Sequence, residues 1–162
     1  GDAWAELSPG TEDCFALDVG ISFAAPAIGN QHLSFVLNAA TFRNQIASSR
    51  TFVLRQEIEA LQKVGLARGG SLKNAVVVDH DSVLNPDGLR AADEFVRHKA
   101  LDVVGDLALA GAPLRGCFRG YKSGHTLNNA LLRGLFATPD AWSYGPQRAV
   151  SRKVEPGYSV AA

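Results

Sequence analysis

Methionine is absent from all 162 residues and the chain opens on Gly1, so it reads as a processed chain or an excised part of a longer one. Cysteine is nearly as scarce. Cys14 and Cys117 stand far apart and belong to no CxxC or CxxH pattern, which argues against a disulfide framework or a cysteine-based zinc knuckle. No apolar run approaches the ~20 residues that a membrane-spanning helix needs, and the N-terminus lacks the basic-then-apolar order of a signal peptide. An excess of charge is missing too. The 16 lysines and arginines balance 16 aspartates and glutamates, leaving no net field to draw the chain toward nucleic acid or an anionic membrane. Partners must therefore be recognised by a few placed groups. With 46% hydrophobic and 20% charged residues, the composition is that of one soluble domain able to bury a core, and unpaired thiols suit a reducing, cytoplasmic setting.

Short mixed elements follow one another along the chain, without internal repeats or low-complexity blocks. From Cys14 to Phe23 the residues Phe15, Leu17, Val19, Ile21 and Phe23 alternate with small or polar ones, the period of a half-buried strand. After a break at Pro26 and Gly29 a second strand is expected over His32–Leu37. Asn38 is placed to cap a short helix through Ile46, and an extended stretch carries Ser49 to Phe52. A helix is predicted over Arg55–Val64, stopped by Gly65. After Gly69 and Gly70, the run Ala75–Val78 reads as a strand covered on both faces. Strand, helix and strand in so few residues make a small βαβ insert. Asn85, Pro86, Asp87 and Gly88 form a turn. The longest helix is expected from Ala92 to Ala110, closed by Gly111, then a strand over Leu114–Tyr121, a break at Gly124 and a helix over Leu127–Phe136. Beyond Ala137, residues 138–162 read as an irregular tail with Trp142 tucked back.

Chemistry concentrates in the long helix and after it. His98, Asp102 and Asp106 are four residues apart and lie along one helical stripe, with Phe95 beginning the same face. A His and an Asp so spaced can offer nitrogen and oxygen to one tetrahedral zinc, but an ion pair on a helix surface has the same spacing. The apolar remainder of the helix implies burial, and three ionisable groups on a buried helix need a metal, a partner or a water-filled cleft to compensate them. His80, between Asp79 and Asp81, reads as part of a solvated turn. His32, with no acidic or cysteine neighbour in sequence, reads as surface. His125 differs: in Tyr121-Lys122-Ser123-Gly124-His125 a glycine breaks the chain before a helix N-terminus. A histidine there either caps the helix or projects into a cleft, beside a lysine suited to phosphate.

Phe95-Val96-Arg97-His98-Lys99, Leu101-Asp102, Gly105-Asp106, Tyr121-Lys122-Ser123-Gly124-His125 and Leu127-Asn128-Asn129 together closely resemble the zinc-dependent UDP-3-O-acyl-N-acetylglucosamine deacetylases of lipid A synthesis. Arg50-Thr51-Phe52, Gly69-Gly70-Ser71, Val83-Leu84-Asn85 and Gly88-Leu89-Arg90 fall in the order that family would place them. The resemblance covers about Gly1 to Ala137 and corresponds to the C-terminal half of the enzyme. It implies that His98 and Asp102 are two of three zinc ligands, the third ligand and a glutamate base lying in the N-terminal half, which is then an obligate partner. His125 matches the charged histidine that acts on the oxyanion or leaving amine, and Asp106 the aspartate that orients it. Lys99 matches a lysine near the active site, and Thr51 a threonine that bonds the tetrahedral intermediate. Phe52 and Lys122 match contacts to the sugar-nucleotide side and the diphosphate, and Phe23 lies where uridine contacts fall. The insert, about 51–84, resembles the passage for the substrate's acyl chain, with Ile58, Ala67, Ser71, Ala75 and Val77 as its lining.

The chain departs from the family's usual pattern at three points. Val53-Leu54 replace Gly-Phe after Arg-Thr-Phe, Phe23-Ala24-Ala25-Pro26 replaces Phe-x-His-Pro, and Ser22 stands where an acidic residue is common. The expected architecture is α+β: a two-layer sandwich of a sheet against two helices with the βαβ insert, over residues 1–137. A competing expectation is a non-catalytic half-domain that binds a nucleotide sugar or an acyl chain.

Overall fold

The computed structural model describes residues 1–10, 12–58 and 71–145. It has the α+β architecture expected. Strands β1 (Trp4–Ser8), β2 (Phe15–Ser22), β3 (Asn30–Leu37) and β7 (Gly116–Tyr121) form a four-stranded sheet in the order β1-β7-β2-β3. Only the central β2–β7 pair is parallel, with Phe15 opposite Gly116 and Gly20 opposite Tyr121; the outer pairs are antiparallel. Alternation along β2 buries Phe15, Leu17, Val19 and Ile21 on one face, and the long helix α2 (Glu94–Leu107) crosses β2 and β3 there. Helix α3 (His125–Phe136) packs on α2 and on β1. Phe95, Val96, Ala100, Val103 and Leu107 from α2 meet Phe118 from β7 and Leu132 from α3 in the core.

β1 was not predicted, because Trp4-Ala5-Glu6-Leu7-Ser8 carries little strand signal without its partner β7. Its pairing rests on Gly116, where φ is +132° and an added Cβ would lie 2.6 Å from the Ser8 carbonyl oxygen. Both helices are shifted slightly from expectation. α2 begins at Glu94, and its last turn tightens into a 3₁₀ segment over Ala108–Ala110 before Gly111 ends it in the left-handed region at φ +74°. α3 begins two residues early, at His125, because Gly124 is extended and serves as its N-cap position. Burial of α2 is one-sided: Gly105, Ala108 and Leu109 face solvent.

Between β3 and α2 the chain forms the second sheet. Asn38 caps α1 (Ala39–Thr41) by accepting from the Ala40 and Thr41 amides at 2.9 and 3.0 Å. A π-helical turn over Phe42–Ile46 follows. β4 (Thr51–Leu54) pairs in parallel with β5 (Ala75–Asp79), and β6 (Ser82–Val83) adds antiparallel to β5. Residues 55–58 are helical after β4, so the parallel pairing has the expected strand–helix–strand order. The rest of the predicted helix and its Gly65 stop, with Ala67, Gly69, Gly70 and the tail from Pro146, lie outside the described residues. Val83 pairs with Val78. His80 at φ +55° makes the tight turn between β5 and β6. Asn85 closes the insert: its Oδ1 accepts from the Val77 amide at 2.9 Å and its Nδ2 donates to the Leu72 and Ala75 carbonyls. Past α3, Trp142 folds back edge-on to Phe136 at 5.3 Å between centroids.

Candidate active site

The insert is fastened to α2 through a buried ion pair. Glu94 accepts from the Arg50 backbone amide at 3.0 Å, from Arg50 Nε and Nη2 at 2.9 Å each, and from the Arg90 amide at 2.7 Å. Burial works against the charge of Glu94, but these hydrogen bonds outweigh it and hold the carboxyl below its ordinary range. The bond to Glu94 likewise holds the Arg50 guanidinium above its ordinary range. Arg97 Nη1 donates to the Gln45 carbonyl at 2.8 Å and Arg90 Nη1 to the Ser48 carbonyl at 2.6 Å. Three arginines thus strap residues 45–50 to the first turns of α2, beside His98.

His98 and Asp102 converge on that side of α2, with Nε2 and Oδ1 3.3 Å apart. Burial is the main influence on the imidazole and pushes its pKa below the ordinary histidine value, against the raising effect of Asp102. A neutral imidazole is the form that ligates a metal. His98 Nδ1 is buried and has no hydrogen-bond partner among the described residues. Two donors bound to one tetrahedral zinc at ordinary distances are about 3.4 Å apart, so this pair fits one edge of such a site. Among the described residues no group of three or more His, Cys, Asp or Glu is placed to hold a metal ion.

The other groups of the stripe lie next to this pair. Lys99 Nζ reaches Asp102 Oδ2 at 3.0 Å and stands 5.6 Å from the centroid of the Phe52 ring. Asp106, one turn further on, faces α3: His125 Nδ1 is 3.0 Å from both of its oxygens. His125 Nε2 lies 4.0 Å from Asp102 Oδ1, which links the two halves of the stripe. A hollow of about 560 Å³ opens beside His125 along Asn129 and Arg133. Phe52 stands beside the His98–Asp102 pair, edge-on to Phe23 at 5.3 Å, Phe95 at 5.1 Å and His98 at 6.1 Å. Thr51 precedes it with its side chain exposed.

Lys122 is held differently. Its backbone is left-handed at φ +53°, its amide donates to the Gly20 carbonyl at 2.8 Å, and its Nζ pairs with Asp2 at 2.7 Å. The hydrogen bond raises the lysine pKa and lowers that of Asp2. In the insert, Ala75 and Val77 lie on the face of β5 opposite Val76 and Val78, which belong to the main core. Ile58 is half-buried, and Ser71 is exposed and bonded to Asn74.

Sequence reasoning did not single out the partners of these groups. Glu94 was visible only as an acidic residue in a helix's first turn, and Asn128, whose Nδ2 donates to Asp106 Oδ2 at 2.8 Å, only as part of a motif. His32 lies on the surface as expected, and there Asp18, on the neighbouring strand, pairs with its Nε2 at 2.8 Å. The separation of 14 residues hides that contact until β2 and β3 are in register. Cys14 and Cys117 are both free.

The family model of LpxC, the UDP-3-O-acyl N-acetylglycosamine deacetylase, matches residues 1–137. The chain belongs to this family. Its relatives include the UDP-3-O-acyl-N-acetylglucosamine deacetylases of Phenylobacterium zucineum, 53% identical over 88% of this chain and 48% of the relative, and of Mannheimia succiniciproducens, 48% identical over 99% and 52%. That of Pasteurella multocida is 50% identical over 89% and 47%. The chain spans about half the length of these curated relatives, and the part it matches is the C-terminal half. No helix among the described residues is long and apolar enough to cross a membrane.

Proposed function

We propose that this chain is the C-terminal part of a cytoplasmic, zinc-dependent deacetylase that removes acetate from UDP-3-O-acyl-N-acetylglucosamine in lipid A biosynthesis. The observation that carries the reading is the meeting of His98, Asp102, Asp106 and His125 on one side of α2 in a member of this family. In this reading His98 and Asp102 hold zinc, with a third ligand and a general-base glutamate supplied by the N-terminal half. The metal would supply Lewis acidity toward the acetamide carbonyl and a water of lowered pKa.

His125 is aimed by Asp106 and presents Nε2 to the reacting amide, where its protonated form stabilises the oxyanion or gives a proton to the departing nitrogen. Lys99 adds a positive charge beside Asp102, and the Thr51 hydroxyl donates a hydrogen bond to the tetrahedral carbon's oxygen. Phe23 and Phe52 take the flat faces of sugar and uracil, and Lys122 exchanges Asp2 for the diphosphate. The acyl chain enters the insert past Ile58, Ala67, Ser71, Ala75 and Val77. Residues 1–137 make up this half-domain.

The test is recombination with the complementary half. Alone, the chain is expected to bind zinc weakly and to lack deacetylase activity. With the N-terminal half, zinc content approaches one per complex and acetate release returns, and His125→Ala then lowers kcat by at least 100-fold. A recombined protein that holds zinc while His125→Ala keeps its rate would overturn the catalytic assignment.

A further inference from the structure

Asn128 is among the least exposed polar residues of the fold, at 1%, and the function described above gives it nothing to do. It lies on α3 one turn after His125, at i+3, and so points from the same side of the helix. Its Nδ2 donates to Asp106 Oδ2 at 2.8 Å, while its own Oδ1 is buried and has no hydrogen-bond partner among the described residues. The amide orientation follows from the carboxylate: turned the other way, Oδ1 would face an oxygen that only accepts. At so buried a helix position an apolar side chain would leave no orphaned oxygen. What the asparagine adds is a second donor aimed at Asp106, beside His125 Nδ1.

We infer that Asn128 is a positioning residue for the His125–Asp106 pair. The order of burial supports this. The His125 side chain is 67% exposed and Asp106 12%, so little packing fixes the ring itself. A carboxylate accepting from one donor can swing about its terminal torsion, which has broad wells. Two donors from one helix, His125 Nδ1 and Asn128 Nδ2, leave a single orientation. Because the carboxylate only accepts, the proton of a neutral His125 must sit on Nδ1. That leaves Nε2 turned away from Asp106, on the side where Asp102 lies 4.0 Å off. Asn128 thereby selects the tautomer and direction of a ring it does not touch.

This inference rests on the proposed role of His125, but part of its test does not. In the 162-residue chain, long-range proton–nitrogen spectra at mildly alkaline pH are expected to show His125 almost wholly as the Nδ1–H tautomer. Asn128→Leu, close in shape, is expected to melt as cooperatively as the parent but to give a tautomer mixture at His125. In the full-length deacetylase the same change is expected to lower kcat about 10- to 100-fold, the usual range for a partner one shell out, with KM within about twofold. Asn128→Ser serves as a second variant should leucine fail to fold. A folded variant that keeps both the Nδ1–H tautomer and the parent kcat would overturn the inference. A normal rate in His125→Ala, with the tautomer change still present in Asn128→Leu, would remove the proposed function and leave the positioning intact.

Discussion

Glu94 illustrates how much one residue can hold. Its carboxylate takes four hydrogen bonds, three from Arg50 and one from the Arg90 backbone, and both members of the ion pair are almost fully out of water. Removing one partner strands the other as a buried charge, so Glu94→Ala is expected to cost about 3–5 kcal/mol in urea unfolding. Because the folded carboxyl sits below its ordinary value, the unfolded chain binds a proton here before the folded one does. The Glu94 contribution is therefore fully present above the ordinary glutamate pKa of the unfolded chain and is lost as pH falls through the lower folded value. Denaturation midpoints from neutral to acid pH should trace that loss in the parent, and the curve for Glu94→Ala should be flatter over the same acid window. A variant with the parent's slope would show that other carboxylates govern the acid limb.

At the level of elements, strand alternation and glycine or asparagine breaks made β2, β3, β5, α2 and α3 legible, because each buries one regular face or is fully enclosed. β1 was illegible for a physical reason: it is an edge strand whose inward residues are only Ala5 and Leu7, and its register depends on β7. Gly116 shows the dependence. Both its left-handed backbone and the 2.6 Å approach of the Ser8 carbonyl oxygen to a would-be Cβ exclude a side chain. Gly116→Ala is expected to cost at least 2 kcal/mol and to deprotect the β1 amides first in hydrogen exchange; uniform loss of protection would contradict a local defect. The site was legible in the same measure. The i, i+4 stripe of His98, Asp102 and Asp106 is a single-helix pattern, readable from spacing. Its pairing with His125 and Asn128 needs α2 beside α3, and the strap of Arg50, Arg90 and Arg97 needs the insert folded back. Neither arrangement has a sequence period.

Across the whole molecule, core and site are separated. The hydrophobic core lies between the main sheet and the inner faces of the helices, whereas the titratable groups of the site stand at the edge of that layer, with His125 largely in solvent. The titratable groups of the site are thus distinct from the buried core residues, while Phe23 and Phe52 pack against that core from the site. Under the proposed function, the chain's zero net charge suits a polar ligand met by single cations, Lys99 and Lys122, instead of a broad basic surface. Lys122 has a consequence of its own. Its left-handed backbone suits glycine, while under the proposed function its ammonium, here paired with Asp2, meets the diphosphate. Selection for thermal robustness and selection for ligand capture thus pull this position toward different amino acids. Lys122→Gly is expected to raise stability by up to about 1 kcal/mol while weakening UDP binding about tenfold, measured by calorimetry on the recombined enzyme. A screen that ranks variants by melting temperature alone would keep the substitution and discard the activity.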